Sequence, residues 1–236
     1  MPKKTKCSVA LLLAVLFPLS SGAEDGGAAV KQALESRIGG SVGEVRKTPY
    51  LKLYEVQIDD KIVYTDEKAE YIFNGNIIDA RTRTNLTQER LGKLSAIAFS
   101  DLPLEFAVKT VKGNGNRVLA TFEDPNCVYC RKLAKELQGV ENATIYTFLL
   151  PILSQDSEEK SKAVWCATDR AKAWSELMVK GATPPPGNCE TPLKKIMEFA
   201  QKHRIQGTPT IFLANGERLA GAIPLAQLEK RMAQAQ

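Results

Sequence analysis

Two cysteines three positions apart stand where the sequence changes from a strand-like to a helix-like pattern. Cys127 and Cys130 follow an apolar run that ends at Phe122, and a helical pattern continues from Cys127 to Leu137. The unpaired backbone N–H groups at a helix start favour a thiolate over a thiol, and residues three apart lie on one face of a helix. We therefore predict thiol–disulfide exchange, with Cys127 as the exposed attacking sulfur and Cys130 as the partly buried resolving sulfur.

A second motif, Gly207-Thr208-Pro209-Thr210, precedes the last strand-like run. We expect a cis peptide bond before Pro209, which costs an X-Pro bond only about 0.5–1 kcal/mol. The backbone of Thr208 would then lie beside the cysteine pair, where its N–H and C=O can pair with an extended substrate segment. Thr208 and Pro209 are thus predicted substrate-groove residues. The alternative is an ordinary trans proline that enters an edge strand.

Two further cysteines are interpreted as structural. Cys166 falls in a long predicted helix and Cys189 follows three prolines, so a disulfide between them would pin this helical segment. Closing a loop of this length contributes about 3 kcal/mol in the chain-entropy model. Two alternatives are a zinc site built from all four cysteines and a protease pair of Cys127 with His203, the single histidine. The first has an unusual spacing and the second leaves Cys130 without a role, so we expect no metal and no cofactor.

The first 23 residues have the order of a secretory signal peptide. Three lysines precede an apolar stretch over 9–19, which is too short to span a bilayer, and the small residues Ser21-Gly22-Ala23 follow it. We predict cleavage near Ala23 and export to the periplasm. The first cysteine of the chain leaves with this segment, so four remain, an even number for an oxidising compartment.

The composition is that of a globular protein and gives no sign of a nucleic-acid ligand. The 236 residues are 44% hydrophobic and 25% charged, and without the predicted signal peptide 29 basic residues stand against 27 acidic ones. A protein that neutralises many phosphates usually shows a concentrated basic face. No run of lysine or arginine after residue 24 resembles one. Nucleic acid is therefore set aside as a partner.

The first half of the mature chain predicts a helix followed by a small antiparallel sheet. Apolar residues recur at helical spacing from Glu24 to Ile38, and short strand-like runs follow, with a two-residue hairpin expected at Asn74-Gly75. The strand-like runs are 42–48, 51–58, 62–65, 71–73 and 77–80. A sheet of this size has a limited core and exposed edges, which pairing with a second copy would cover. We interpret 24–85 as an α+β dimerisation domain.

A linker helix and an α/β domain are predicted next. Asn85 can cap a helix that Pro103 forbids to continue, so we expect a helix over 86–101 within a linker of 86–103. The pattern then gives a strand, a helix, a strand, a long helix, a shorter helix, a hairpin and a last helix. Their expected positions are 117–122, 127–137, 144–150, 158–180 with Asp156 as its cap, a start at Pro192, strands on either side of Asn215-Gly216, and a start at Pro224. This order is typical of a thioredoxin-like catalytic domain with a helical insertion, here 104–236.

Several motifs together resemble the DsbC/DsbG family of periplasmic disulfide isomerases. The similarity runs from about residue 30 to the C-terminus and includes Cys166 and Cys189. It is carried by Thr48-Pro49-Tyr50, Leu53-Tyr54-Glu55-Val56, Tyr64-Thr65-Asp66-Glu67, Asn85-Leu86-Thr87, Phe122-Glu123-Asp124-Pro125-Asn126-Cys127-Val128-Tyr129-Cys130 and Gly207-Thr208-Pro209-Thr210.

The resemblance implies a V-shaped homodimer that is joined through its N-terminal domains. It implies that the protein rearranges wrong disulfides in misfolded secreted proteins and is kept reduced by a membrane electron donor of the DsbD type. The departure is Val128, where the best-known member of the family has glycine.

Three hypotheses about function follow. The first is a disulfide isomerase that is poised reduced and also acts as a chaperone. The second is a dithiol oxidase that donates its disulfide, with the same cysteines in the opposite resting state. The third is mainly a chaperone that binds unfolded exported chains in the dimer cleft.

Overall fold

The computed structural model describes residues 26–59 and 61–235, and the predicted signal peptide lies outside them. The described residues form two compact units. The first holds 26–59 with 63–73, and the second holds 61–62 with 74–235.

The first unit is one helix packed on a small antiparallel sheet. Its elements are α1 (Gly27–Ile38), β1 (Val45–Lys47), β2 (Tyr54–Ile58), β3 (Lys61–Thr65) and β4 (Ile72–Phe73), with sheet order β1-β2-β3-β4. The first two residues of β3 are grouped with the second unit. Val30 and Leu34 of the helix are buried against Tyr54 and Val56 of the sheet. The helix ends where Gly39 takes a left-handed conformation with φ of 70°. The predicted helix and small sheet are confirmed.

The hairpin predicted at Asn74-Gly75 is wrong. β4 pairs with β3, and the next strand, β5 (Ile78–Asp79), pairs instead with β6 (Thr84–Asn85). A two-residue type I′ turn needs positive φ at both central residues, and neither Asn74 nor Gly75 has it. Asn74-Gly75 instead begins the longer segment of the second unit.

The second unit is a five-stranded sheet with helices on both faces. After β5 and β6, its elements are α2 (Leu86–Leu94), β7 (Val108–Lys112), β8 (Arg117–Glu123), α3 (Val128–Leu137), β9 (Ala143–Leu149), α4 (Gln155–Cys166), α5 (Arg170–Ser175), α6 (Leu193–Lys202), β10 (Thr210–Leu213), β11 (Arg218–Ala220) and α7 (Leu225–Gln234). The sheet order is β11-β10-β8-β9-β7, with β8 and β9 parallel and the other neighbours antiparallel. The predicted mixed α/β architecture is confirmed.

The central strand β8 separates two apolar cores. Ala120 and Phe122 face a core that includes residues of α4, α5 and α6, and Leu119 faces a second core with residues of α7. Because side chains alternate along a strand, Thr121 and Glu123 point to the same side as Leu119. The strand ends at Glu123 and delivers the chain directly to the cysteine motif.

The helix expected over 86–101 is shorter than predicted, since α2 ends at Leu94. Asn85 caps it as expected by accepting a hydrogen bond from the backbone N–H of Gln88 at 3.0 Å. The following segment forms two short 3-10 turns, Phe99–Asp101 and Leu104–Phe106, rather than more helix. Ile97 in this segment is buried in the core that contains Ala120 and Phe122, which a continuous exposed helix would not allow.

The single helix expected over 158–180 is also wrong. α4 begins three residues earlier, with Ser154 rather than Asp156 as its cap, and stops at Cys166. A second cap, Asp169, then starts α5, which runs into a π-helical turn that Gly181 closes with φ of 75°. The apolar periodicity continued across the break because both helices bury residues in the same core.

The sequence analysis missed β7. This strand pairs along its length with β9 and forms one edge of the sheet. Its alternating burial leaves Val111 57% exposed.

Candidate active site

Cys127 lies at the end of the loop that joins β8 to α3. It is the N-cap of α3, and its sulfur accepts a hydrogen bond from the backbone N–H of Cys130 at 3.4 Å. The predicted helix start is therefore confirmed, and the sulfur lies among the free N–H groups that favour a negative charge. Cys127 is 7% exposed and Cys130 is fully buried. Cys127 is thus more accessible than Cys130 but less exposed than predicted.

The backbone of Thr208 lies beside Cys127. The Cys127 thiol donates a hydrogen bond to the carbonyl oxygen of Thr208 at 3.3 Å, and the bond between Thr208 and Pro209 is cis, as predicted. Pro209 leads into β10, and its carbonyl accepts a hydrogen bond from the N–H of Gly221 at 2.8 Å. The structure thus places Thr208 and Pro209 next to the cysteine pair.

The Cys130 thiol holds its proton firmly. Burial raises its pKa well above the ordinary value, and the negative charge of Glu123 raises it further, while the backbone N–H of Asp124 acts in the opposite direction. Both cysteines are free thiols in this structure. The two sulfurs therefore differ strongly in environment although three residues separate them.

Glu123 is a site residue that the sequence analysis missed. The residue is fully buried, and burial raises the pKa of its carboxyl group from 4.5 to about 7, although a hydrogen bond from Thr121 acts against the rise. The sequence did offer a signal, because an acidic residue stands at the end of a strand-like apolar run. Asp and Glu are rarely fully buried without a partner, so an acid in such a place is a candidate site residue.

A polar network ties the loop before Cys127 to the start of α4. The buried Asp124 carboxylate accepts four hydrogen bonds, and Asn126 makes four more through its side chain. The donors to Asp124 are the backbone N–H groups of Asn126, Ile152 and Leu153 and the hydroxyl of Ser157. The partners of the Asn126 side chain are Ser154, Asp156, Ser157 and Lys160. These hydrogen bonds hold the loop against the helical insertion. Only the tertiary structure shows this contact.

Exposed apolar side chains flank the cysteine pair. Val128 and Tyr129, the two residues between the cysteines, are 72% and 65% exposed. Ile152 and Leu153, whose backbone N–H groups bond to Asp124, are 40% and 55% exposed. An apolar segment of another chain could therefore contact this rim while a disulfide reaches Cys127.

Cys166 and Cys189 form a disulfide across the helical insertion. Gly187 allows the approach, because a Cβ atom there would lie 2.2 Å from the Cβ of Cys166. Two cysteines bonded to each other cannot complete a zinc site with Cys127 and Cys130. In the described residues, no group of three or more His, Cys, Asp or Glu side chains is arranged to hold a metal ion.

His203 makes ring contact with Phe199, with the ring centroids 4.3 Å apart. Burial lowers the pKa of its imidazole. The hydrogen bonds of the Cys127 sulfur go to Thr208 and Cys130 instead, so the structure gives no support to a protease pair.

None of the helices within 26–59 and 61–235 is both long and apolar enough to cross a membrane.

Two family models match the chain. Residues 21–88 match the disulfide bond isomerase protein N-terminal domain, and residues 104–236 match a thioredoxin-like domain. The second match covers more than half of the chain and contains all four cysteines of the predicted mature protein.

Curated relatives match most of the chain in sequence. A probable thiol:disulfide interchange protein DsbC of Bordetella parapertussis is 47% identical over 205 residues, which cover 86% of this chain and 73% of that protein. The thiol:disulfide interchange protein DsbC of Escherichia coli K12 is 24% identical over 226 residues, which cover 93% of each.

A solved structure agrees with these matches. The crystal structure of a disulfide interchange protein from Neisseria gonorrhoeae is 36% identical, with a TM-score of 0.55, and covers 57% of this chain and 99% of its own. With the cysteine pair at a helix start and the thioredoxin-like sheet behind it, these matches show that the chain belongs to the DsbC family of thiol:disulfide interchange proteins.

Proposed function

We propose that this protein is a periplasmic disulfide isomerase, which rearranges non-native disulfides in secreted proteins through Cys127 and Cys130. The observation that supports it most is the difference between the two sulfurs. Cys127 lies at the helix start beside the Thr208 carbonyl, and Cys130 is fully buried behind it with a raised pKa. The Cys127 sulfur can attack a disulfide while Cys130 remains a thiol.

The reaction begins with the Cys127 thiolate. It attacks one sulfur of a wrong disulfide, a new bond forms between Cys127 and the substrate, and the other substrate sulfur leaves as a thiolate. A substrate thiolate can then attack the mixed disulfide and release Cys127 unchanged, which leaves a rearranged substrate. Cys130 can attack it instead, which leaves a reduced substrate and an oxidised enzyme.

The backbone beside Cys127 positions the substrate. The Thr208 carbonyl lies 3.3 Å from the Cys127 sulfur, so an extended substrate segment that pairs with Thr208 would bring its disulfide to the attacking atom. Thr208 and Pro209 act in this way as groove residues. Val128 and Tyr129 supply apolar contact surface at the rim.

The same protein acts as a homodimer joined through its N-terminal domain, 24–85. Support comes from the short edge strand β4 and its neighbour, where Tyr71, Ile72 and Phe73 are 67%, 45% and 52% exposed. Exposed apolar side chains on a sheet edge favour pairing with another chain. A dimer places two active sites around a cleft in which misfolded chains bind, which accounts for the chaperone activity.

Two further proposals concern the cellular location of the protein and the donor that reduces it. The exported chain loses its signal peptide near Ala23, works in the periplasm and is returned to the dithiol form by a membrane electron donor of the DsbD type. Alkylation of the protein directly from the periplasm tests this. Free thiols at Cys127 and Cys130 support the isomerase, and a closed disulfide favours the oxidase.

Refolding of a scrambled multi-disulfide protein, with sedimentation of the mature chain, tests isomerase activity and assembly together. We expect a dimer that restores the native disulfides. We expect Tyr71→Lys with Phe73→Lys to give a monomer that keeps exchange with small disulfides but loses most isomerase activity. Val111→Lys is the matched control, because Val111 is a similarly exposed residue on an edge strand of the second unit. A monomeric parent protein, or a double variant that is as good an isomerase, contradicts the proposal.

A further inference from the structure

An open hollow lies on the second unit, away from the redox loop. It has a volume of about 720 Å³ and is lined by Ala107 and Lys109, around the start of β7, and by 167–171, where the chain passes from α4 into α5. In the sheet, β9 lies between β7 and β8, the strand that leads to Cys127. None of the exchange steps above uses this hollow.

An arginine is held in a fixed orientation at the hollow. The Cζ atom of Arg170 lies 3.8 Å from the centre of the Trp165 ring, and its Nε donates a hydrogen bond to the Trp165 carbonyl oxygen at 2.6 Å. The ring contact and the hydrogen bond together hold the guanidinium plane. Within 26–59 and 61–235, no hydrogen bond or ion pair joins the two Nη groups of Arg170 to another residue. Both groups can therefore bind the oxygens of one carboxylate.

Two lysines lie over aromatic rings in the same region. The Nζ atom of Lys109 lies 5.8 Å from the centre of the Tyr146 ring. The Nζ atom of Lys195 lies 5.0 Å from the centre of the ring of Phe106, which directly precedes Ala107. In the part of the chain that the structure describes, neither lysine forms an ion pair with a carboxylate. Both are exposed, so an outside anion can reach them.

The residues that line the hollow leave it with a positive charge. Asp169 is the one acidic residue among them, and its Oδ1 accepts a hydrogen bond from the backbone N–H of Lys172 at 2.9 Å as the cap of α5. Two cations therefore stand against one carboxylate that already has a partner. Ala107, Ala167 and Ala171 supply small side chains, which leave room for the backbone of a ligand.

The size of the hollow favours a ligand larger than a single ion. One water molecule takes about 30 Å³, so an inorganic anion would fill only a small part of it. Sites for larger ligands usually measure about 300–1,000 Å³. Clusters of arginine and lysine are a common way to recognise acidic protein segments.

We propose that this hollow binds an acidic segment of a protein, in which one carboxylate pairs with Arg170 and a second pairs with Lys109. Lys195 adds to the attraction from beside the hollow. Because the cations already lie on aromatic rings, little side-chain entropy is lost when the segment binds. This inference goes beyond the proposed function, since it needs no thiol chemistry, and it gives the protein a second contact for protein chains.

Binding of a labelled peptide of alternating glutamate and glycine tests the inference. The full mature protein is titrated into the peptide while fluorescence anisotropy is recorded, and a peptide with glutamine in place of glutamate serves as the neutral probe. We expect the glutamate peptide to bind and the glutamine peptide not to bind. The affinity should fall as salt is added, because ion pairs at an open surface are screened.

Substitutions at the hollow locate the binding. We expect Arg170→Gln to weaken binding about tenfold and Lys109→Gln about threefold, because a bidentate pair contributes more than an exposed lysine pair. Together they should weaken it about 30-fold. The matched control is Lys93→Gln with Lys230→Gln, two exposed lysines of α2 and α7 that do not line the hollow. The control removes the same charge and should change the affinity less than about twofold.

A spectroscopic signal reports on the hollow itself. The chain has two tryptophans, and only Trp165 contacts Arg170. We expect the indole N–H resonance of Trp165 to shift when the glutamate peptide is added, and to shift more than that of Trp174. If Arg170→Gln fails to fold, this signal and the exposed Lys109→Gln variant decide. An unmoved Trp165 resonance or an unchanged affinity of Lys109→Gln then overturns the inference.

Several results would overturn the inference. They are a parent protein that does not bind the glutamate peptide, equal binding of the glutamine peptide, and a double variant at the hollow that binds like the parent. Tighter binding of inorganic phosphate or of phosphatidylglycerol vesicles than of the peptide would overturn it too, because the site would then serve a small anion or a membrane. Turnover of a small disulfide, measured on the same proteins, should be unchanged in every variant. Its absence in the parent would contradict the proposed function and leave the binding result intact.

Discussion

The second unit holds two cysteine pairs whose surroundings differ in nearly every respect. Cys127 and Cys130 stand at a helix start with free N–H groups, a neighbouring carbonyl and a buried acid. Cys166 and Cys189 join the end of α4 to a loop, with Gly187 packed against the bond. In the first pair, at a helix start, Cys127 is slightly accessible and Cys130 is not, whereas the second pair holds two segments together. Position in the fold, rather than the number of cysteines, therefore distinguishes the pair expected to take part in exchange from the structural pair.

The largest expected effects come from substitutions in the two cysteine pairs. A change in the first pair should remove activity, and removal of the second pair should lower stability. Cys127→Ser should abolish exchange with any disulfide and leave the free energy of unfolding nearly unchanged, because a helix-start serine still caps α3. Cys166→Ala with Cys189→Ala should keep exchange and lose about 3 kcal/mol of stability. Denaturant unfolding and turnover of a small disulfide measure both. Loss of exchange in the double variant would contradict a purely structural role for the disulfide between Cys166 and Cys189.

The next effect concerns the network that holds the redox loop. Asp124→Asn should cost about 4 kcal/mol, because one amide oxygen replaces a buried carboxylate that accepts four hydrogen bonds and the new NH₂ group faces donors. It should also slow attack by Cys127, since the loop that ends at Cys127 loosens. Asp169→Asn, an exposed cap of α5 in the same unit, is the control for a change of charge. Equal stability of the two variants would show that the network does not position the loop.

The contribution of the buried Glu123 to the free energy of unfolding is expected to depend on pH. In the folded chain the pKa of Glu123 is raised from 4.5 to about 7, so the folded state binds more protons than the unfolded state between those values. Stability contributed by the neutral carboxyl group is therefore lost as pH rises through this window. Glu123→Gln escapes this loss and should be more stable than the parent by about 3 kcal/mol above the window and about equal below it. Unfolding in urea at both ends of the window measures this. An equal difference at both ends would contradict the raised pKa.

The smallest effect is expected at Val128, between the redox cysteines. Its side chain is 72% exposed and adds little to the core. Val128→Gly should cost at most about 1 kcal/mol, the usual penalty of glycine in a helix. We expect the reduction potential of the pair to change by less than about 30 mV, a tenfold change in the equilibrium constant. Equilibration with glutathione measures this, and a larger change would mean that the residue between the cysteines matters more than the surrounding fold.

Local signals in the sequence predicted the parts of the site that depend on neighbouring residues. The helix start at Cys127, the cis bond at Pro209 and the hairpin around Asn215-Gly216, where Gly216 has φ of 83°, all follow from short motifs. The break after Cys166 did not, because helices on either side bury their residues in one core and keep a continuous apolar pattern.

The supporting residues needed the tertiary structure. Asp124 and Asn126 meet partners about 30 positions away, and no local pattern predicts such contacts. Glu123 was visible as an acid at the end of an apolar strand, but its burial beside Cys130 depends on how α3 packs on β8. The chemistry was therefore predictable from the cysteine motif, and the groups that tune it were not.

Trapping of mixed disulfides decides whether Cys127 attacks and Cys130 resolves. Cys127→Ser and Cys130→Ser proteins are incubated with a scrambled disulfide substrate, quenched with acid, and searched by mass spectrometry for covalent adducts. We expect Cys130→Ser to accumulate mixed disulfides through Cys127, and Cys127→Ser to capture almost nothing because Cys130 is buried and protonated. Capture by Cys127→Ser that equals or exceeds capture by Cys130→Ser would contradict the assignment of the two sulfurs.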